Sequence, residues 1–106
     1  EWLEAGFEKL GCTAIFVQND LAAIGAIRAL QEVGLRVPQD VSVLSFDGTP
    51  VCELFSPSIA AVAVPLRKIG AAAMELLERQ ISSGKTSNET IVLPTEWQDG
   101  TSVAPR

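Results

Sequence analysis

Residues 13–50 read TAIFVQNDLAAIGAIRALQEVGLRVPQDVSVLSFDGTP. Thr13–Val17 is an unbroken apolar run of strand length, suited to a strand buried on both faces. Asn19 and Asp20 follow it, and residues 21–33 then carry apolar side chains at helical spacing. Ala23, Ala26, Ile27 and Leu30 fall on one stripe, the face expected to pack on a sheet. Asp20 is placed to cap this helix at its start, and Gly34 to follow its last turn. Pro38 breaks the chain, Val41–Phe46 is a second strand, and Asp47-Gly48-Thr49-Pro50 is a turn cluster. Strand, helix and strand in this order build the crossover unit of a parallel α/β sheet. In an open sheet of that kind ligands bind beyond the carboxyl ends of the strands. Asn19 and Asp20 occupy that position after the first strand, and Asp47 occupies it after the second.

The flanking segments extend the same alternation. Residues 2–10 space Leu3, Phe7 and Leu10 as in a short helix that Gly11 ends. Residues 51–58 are ambiguous, with Val51, Leu54 and Phe55 compatible with one helical turn. Ile59–Val64 is a third strand, rich in small residues. Pro65 opens the longest helix, 65–83, whose apolar face is Leu66, Ile69, Ala73, Leu76, Leu77 and Ile81. Glu75 is spaced to pair with Arg79, and Gly84 stops the helix. Ile91–Leu93 and a segment around Glu96–Val103, separated by Pro94, complete the chain as short strands. With no repeat, low-complexity segment or interdomain linker, residues 1–106 are expected to form one α/β domain, an open mostly parallel sheet flanked by helices.

Composition narrows the function. A chain of 106 residues, 47% hydrophobic, can bury one small core. Its net charge is −5, and among its scattered basic residues only Arg67 and Lys68 are adjacent, so this segment is not expected to grip DNA itself. No apolar run reaches transmembrane length, and the start is not a signal peptide, so no membrane association is expected. Glu1 is not a natural start, and the chain is expected to be a fragment or a processed product. Cys12 and Cys52 do not make a disulfide framework and are expected to be buried thiols of a cytosolic protein.

Catalysis has little support. Without histidine there is no Ser-His-Asp or Cys-His machinery, and neither a Walker A nor a G-x-G-x-x-G sequence occurs. Asp20 and Asp47 could converge as paired carboxylates, but that chemistry needs a metal or a raised pKa, and the sequence indicates neither. No catalytic residue, metal site or cofactor is expected. Binding fits better. Asn19 offers two donors and an acceptor, and Asp47 offers charged acceptors, a set suited to the hydroxyls of a sugar or nucleoside. The residues alone leave a second reading open, in which Asp20 caps a helix and Asp47 orders a turn. The other side of helix 21–33 carries Ile24 one turn before Arg28, with Leu21 a turn earlier. An apolar patch turned away from the sheet needs a cover, and another subunit is one candidate.

The succession TAIF-x-x-ND, a helix, then G-L-x-V-P-x-D-V-S-V-x-x-F-D resembles the effector-binding core of the LacI/GalR transcriptional regulators, which have the architecture of periplasmic sugar-binding proteins. It is carried by Thr13-Ala14-Ile15-Phe16, Asn19-Asp20, Gly34-Leu35, Val37-Pro38, Asp40-Val41-Ser42-Val43 and Phe46-Asp47. It continues through Ser56-Pro57, Ile59–Val62, Pro65-Leu66-Arg67-Lys68-Ile69-Gly70 and Leu93-Pro94-Thr95-Glu96. The resemblance implies the C-terminal subdomain of a type I periplasmic-binding-protein-like fold in a cytoplasmic, homodimeric regulator. A sugar, nucleoside or related metabolite would bind between two subdomains and change the spacing of DNA-binding headpieces. Operator DNA would be met only through an N-terminal helix-turn-helix that this sequence lacks. By the same resemblance Asn19 and Asp47, with Asp20 beside them, are the ligand-binding candidates, and Ile24, Arg28 and Phe55 fall at the dimer interface. Two departures stand out. Gly48 occupies a position where the family often has F-D-D or F-D-N, and Gly100-Thr101-Ser102-Val103 replaces the usual R-x-S-T, so no family arginine carries over. A secreted sugar-binding protein for transport shares the architecture and is the alternative. An upstream signal peptide would mark that reading, and a basic helix-turn-helix the regulator.

Overall fold

The apolar run after Gly11 forms β1 (Ala14–Phe16), and the chain then alternates through α1 (Asp20–Glu32), β2 (Ser42–Asp47), α2 (Val51–Leu54), β3 (Ala60–Ala63), α3 (Leu66–Ser83) and β4 (Glu96–Gln98). The computed structural model describes residues 11–86 and 88–105, so the helix expected over residues 2–10 lies outside the described residues. The strands lie in the order β1-β2-β3-β4. β1 runs parallel to β2 with Ile15 opposite Val43. β2 runs parallel to β3 with Ser45 opposite Ala61 and Asp47 opposite Ala63. The expected open, mostly parallel sheet is therefore the one that forms.

By its contacts the chain divides into two compact units, one running to Ala63 and resuming at Trp97, the other Val64–Glu96. The core of the first joins Ala23, Ile27 and Leu30 of α1 to Val43, Cys52, Ile59 and Ala61. Ile27 and Leu30 are fully buried, and side chains of that size contribute roughly 1.5–3 kcal/mol each on burial. The period-two alternation of β2 turns Val43 and Ser45 toward α1 and leaves Leu44 and Phe46 on the opposite face. There Phe46 meets Phe16 edge-on at 6.3 Å. Phe16 is 62% exposed, so β1 is not buried on both faces as its apolar run suggested.

The C-terminal segment closes this unit through one side chain. The Ser102 hydroxyl, fully buried, donates to the Val43 carbonyl at 2.6 Å and accepts from the Ala60 N–H at 2.9 Å. The Ser102 carbonyl also accepts from the Val43 N–H at 2.8 Å. Ser102 thus satisfies backbone groups of β2 and β3 where their own pairing has not begun. Gly100 makes this approach possible, because a Cβ there would fall on the backbone of Ile59 and Ala60. The strand expected over 96–103 accordingly stops at Gln98.

In the second unit α3 ends at Gly84, in the left-handed conformation at φ 64°. Arg79 pairs with Glu89 at 3.2 Å, not with Glu75. Ile91–Leu93 is not a strand, and Val92 is 86% exposed. An apolar triplet without a neighbouring strand has no ladder to join. No helix among the described residues is long and apolar enough to cross a membrane.

Candidate functional site

β1 and β2 are parallel neighbours, so the chain leaves both at the same edge of the sheet. Val17 still belongs to the ladder, its N–H donating to the Leu44 carbonyl at 2.8 Å. Two residues on, Asn19 is the N-cap of α1, with extended backbone and its Oδ1 accepting from the Ala22 N–H at 2.8 Å. The expectation that Asp20 caps the helix is corrected, since Asp20 is already inside its first turn. The cap occupies one Asn19 oxygen. Its amide NH2 group makes no hydrogen bond among the described residues.

Asp20 is 3% exposed and turns inward. It accepts from the Ser45 hydroxyl at 2.6 Å, from the Thr49 N–H at 2.7 Å and from the Thr49 hydroxyl at 2.6 Å, with the Gly48 N–H at 3.4 Å. Burial alone would raise its pKa, but the bonds from Ser45, Thr49 and the Cys52 thiol outweigh that and hold the carboxyl below the usual carboxylate range. Burial, and then the Asp20 carboxylate, push the Cys52 thiol up to about 12, so it is a neutral donor. A carboxylate with both oxygens engaged inside the chain offers no edge to a ligand, and Asp20 is withdrawn from the ligand-facing set. It is a clamp that ties the first turn of α1 to the exit of β2. Of the two cysteines expected to be buried, Cys52 is, whereas Cys12 is exposed.

The clamped turn carries Asp47. Its φ is 102°, a backbone conformation that side-chain-bearing residues rarely adopt and that costs about 1–3 kcal/mol. Its partly exposed carboxylate makes no hydrogen bond among the described residues. Gly48 follows at φ 69°, where a Cβ would lie 2.7 Å from the Ala63 Cβ and 2.8 Å from Gln98 Oε1. In this chain, with Gly48 in the left-handed region and Ala63 and Gln98 packed against it, a side chain after Asp47 has no room. The two carboxylates do not form a catalytic pair, because Asp20 is buried and committed to its donors.

The residues expected at a subunit contact lie on α1 and just after α2. The Arg28 guanidinium sits 5.9 Å from the centroid of the Phe55 ring, bringing these two together. Ile24 and Phe55 are partly buried against the core. The fully solvent-facing apolar side chains of these two helices are Leu21, 75% exposed, and Leu54, 85% exposed.

Sequence reasoning passed over Ser45, Thr49 and Gln98. A serine at an inward strand position, between Val43 and Asp47, needs a buried partner, and that signal was present in the alternation. Thr49 and Gln98 carried no comparable signal.

Residues 1–103 match the family model of the periplasmic binding protein-like domain. The chain is 38% identical over 97 residues to the HTH-type transcriptional repressor PurR of Edwardsiella ictaluri, an alignment covering 92% of this chain and 28% of that protein. It is 37% identical over 83 residues to the lactose operon repressor of Rhizobium radiobacter, covering 78% of this chain and 73% of that sequence. Among solved structures, a LacI family transcriptional regulator from Enterococcus faecalis with bound ribose superposes with a TM-score of 0.85 at 32% identity, over 97% of this chain and 39% of that one. This chain thus spans little more than a quarter of the Edwardsiella repressor's length. It belongs to the periplasmic binding protein-like domain family, in the lineage of the LacI/PurR-type transcriptional regulators.

Proposed function

We propose that this chain is the effector-sensing and dimerisation portion of a LacI/GalR-type DNA-binding transcriptional regulator, and that its effector is a sugar or a related polyhydroxylated metabolite such as a nucleoside. The observation that carries this reading is the pair Asn19 and Asp47. Both follow neighbouring parallel strands at the ligand-binding edge of an open sheet. Both retain polar groups that nothing else among the described residues uses. The amide donors of Asn19 and the carboxylate acceptors of Asp47 suit vicinal hydroxyls, each of which donates and accepts. The strained backbone of Asp47, held by the Asp20 clamp, is the kind of conformation that persists where a side chain must be aimed. The relative with bound ribose supports a sugar as the ligand class.

Such a regulator works by population shift. Ligand bound between two walls favours one closure state, and that state has a different affinity for operator DNA. This chain supplies one wall and the subunit contact, with DNA bound through a separate N-terminal headpiece. A second copy of the chain covers Leu21 and Leu54, with Ile24, Arg28 and Phe55 at the border of the patch. The site senses and does not catalyse, and the protein acts in the cytoplasm beside its operator.

A thermal-shift screen of the intact protein against ribose, lactose and adenosine tests this reading. A ligand present at one hundred times its Kd stabilises the bound state by about 2.7 kcal/mol. At least one of the three should raise the melting temperature in a concentration-dependent way. A flat response to all three would contradict the reading.

A further inference from the structure

Position 48 has no side chain, yet the space where one would begin is filled. Gln98 Oε1 lies 2.8 Å from the point a Cβ would occupy there. Gln98 is the last residue of β4, which adjoins β3 in the sheet. Ala63, at the end of β3, stands opposite Asp47 and closes the other side of the same space. The Gln98 side chain therefore reaches the carboxyl edge of the sheet beside the Asp47-Gly48 turn. It is half-buried, and its amide makes no hydrogen bond among the described residues. The other polar side chains packed into this part of the unit behave differently. Asp20, Ser45 and Thr49 are all engaged within the chain. Unused hydrogen-bonding capacity at this edge lies in the partly buried Asn19, Asp47 and Gln98, with only the exposed Gln18 beside them.

We infer that Gln98 is a third ligand-binding side chain of this wall, filling the place of a residue-48 side chain and contacting a hydroxyl of the sugar or nucleoside next to the one held by Asp47. The inference rests on the reading of Asn19 and Asp47 as ligand contacts. A primary amide donates and accepts at once, whereas a carboxylate only accepts. Gln98 therefore distinguishes epimers whose hydroxyls differ in direction, and it gives the site a neutral neighbour for Asp47 in place of a second negative charge.

Calorimetric titration of the intact protein with ribose, lactose and adenosine, for wild type, Asp47→Ala, Gln98→Leu and Gln98→Glu, tests the proposal. Urea denaturation of each variant verifies that folding is kept. Truncating a group that hydrogen-bonds a ligand hydroxyl is expected to cost roughly tenfold in affinity. Gln98→Leu should show that loss. Gln98→Glu, which keeps the shape but removes the donors, should change the order of preference among the three probes. Wild-type affinity and order in both Gln98 variants, alongside binding lost in Asp47→Ala, would overturn the assignment of Gln98 while leaving the cleft reading intact. If wild type binds none of the probes, or Asp47→Ala binds them unchanged, the cleft reading fails and the Gln98 assignment fails with it.

Discussion

Replacing Asp20 by alanine removes the acceptor of three short hydrogen bonds, from the Ser45 hydroxyl, the Thr49 N–H and the Thr49 hydroxyl, at 2.6, 2.7 and 2.6 Å. Hydrogen bonds to a charged partner contribute about 1.5–3 kcal/mol each. Part of that is recovered in the variant. The Ser45 hydroxyl keeps the Phe46 carbonyl, 3.2 Å away, and the Thr49 hydroxyl can rotate toward water. The variant also escapes the cost of burying a carboxylate. The net loss should be about 3–5 kcal/mol, a large share of the 5–15 kcal/mol that stabilises a typical domain. Urea denaturation of the intact protein, followed by circular dichroism, reads this as a lower midpoint with little change in slope. The effect is tied to pH with a definite sign. The folded-state pKa of Asp20 is depressed, so its stabilisation is fully present above the ordinary carboxyl range and is lost as pH falls through the folded value. The gap between wild type and Asp20→Ala should therefore be full at neutral pH and close in acid. A loss below about 1 kcal/mol at neutral pH, or a gap that stays constant into acid, would refute the clamp.

Two further substitutions separate roles that the sequence runs together. Asn19→Asp keeps the oxygen that caps α1 but removes the amide donors, so stability in urea should hold within about 0.5 kcal/mol while calorimetry finds effector affinity reduced roughly tenfold. Leu54→Glu puts a charge on an exposed side chain of the proposed subunit patch, so sedimentation equilibrium should show a weakened dimer with thermal stability of the protomer otherwise retained.

The order of elements was legible from sequence because its signals are local. Apolar runs of strand length, a helical stripe at Ala23, Ile27 and Leu30, and breakers at Gly34, Pro38 and Gly84 each act within a few residues. What failed to show depends on distant partners. Asn19 and Asp20 are equally good helix caps by type. The choice between them is made by Ser45 and Thr49, more than two dozen residues away, which draw the Asp20 carboxylate into the interior and leave Asn19 to cap. Arg79 had a partner at the right helical spacing in Glu75 but meets Glu89 across a loop. Ile91–Leu93 has strand composition but no strand to pair with. Gly48 looked like the loss of a polar group. The close approach of Ala63 and Gln98 explains why a side chain has no room there, and no local pattern carries that information.

The central claim is that Asp47, aimed from a strained turn at the end of β2, holds the effector. Isothermal calorimetry with ribose, lactose and adenosine, on the intact protein and its Asp47→Ala variant, measures this most directly. Alanine keeps a Cβ at the same positive φ and so leaves the backbone strain in place, but the Asp47 carboxylate makes no hydrogen bond among the described residues, so its removal breaks no internal contact and the fold should survive. The expected result is a folded variant whose affinity falls at least tenfold for whichever probe wild type binds. A folded Asp47→Ala protein that binds that probe with wild-type affinity would contradict the account.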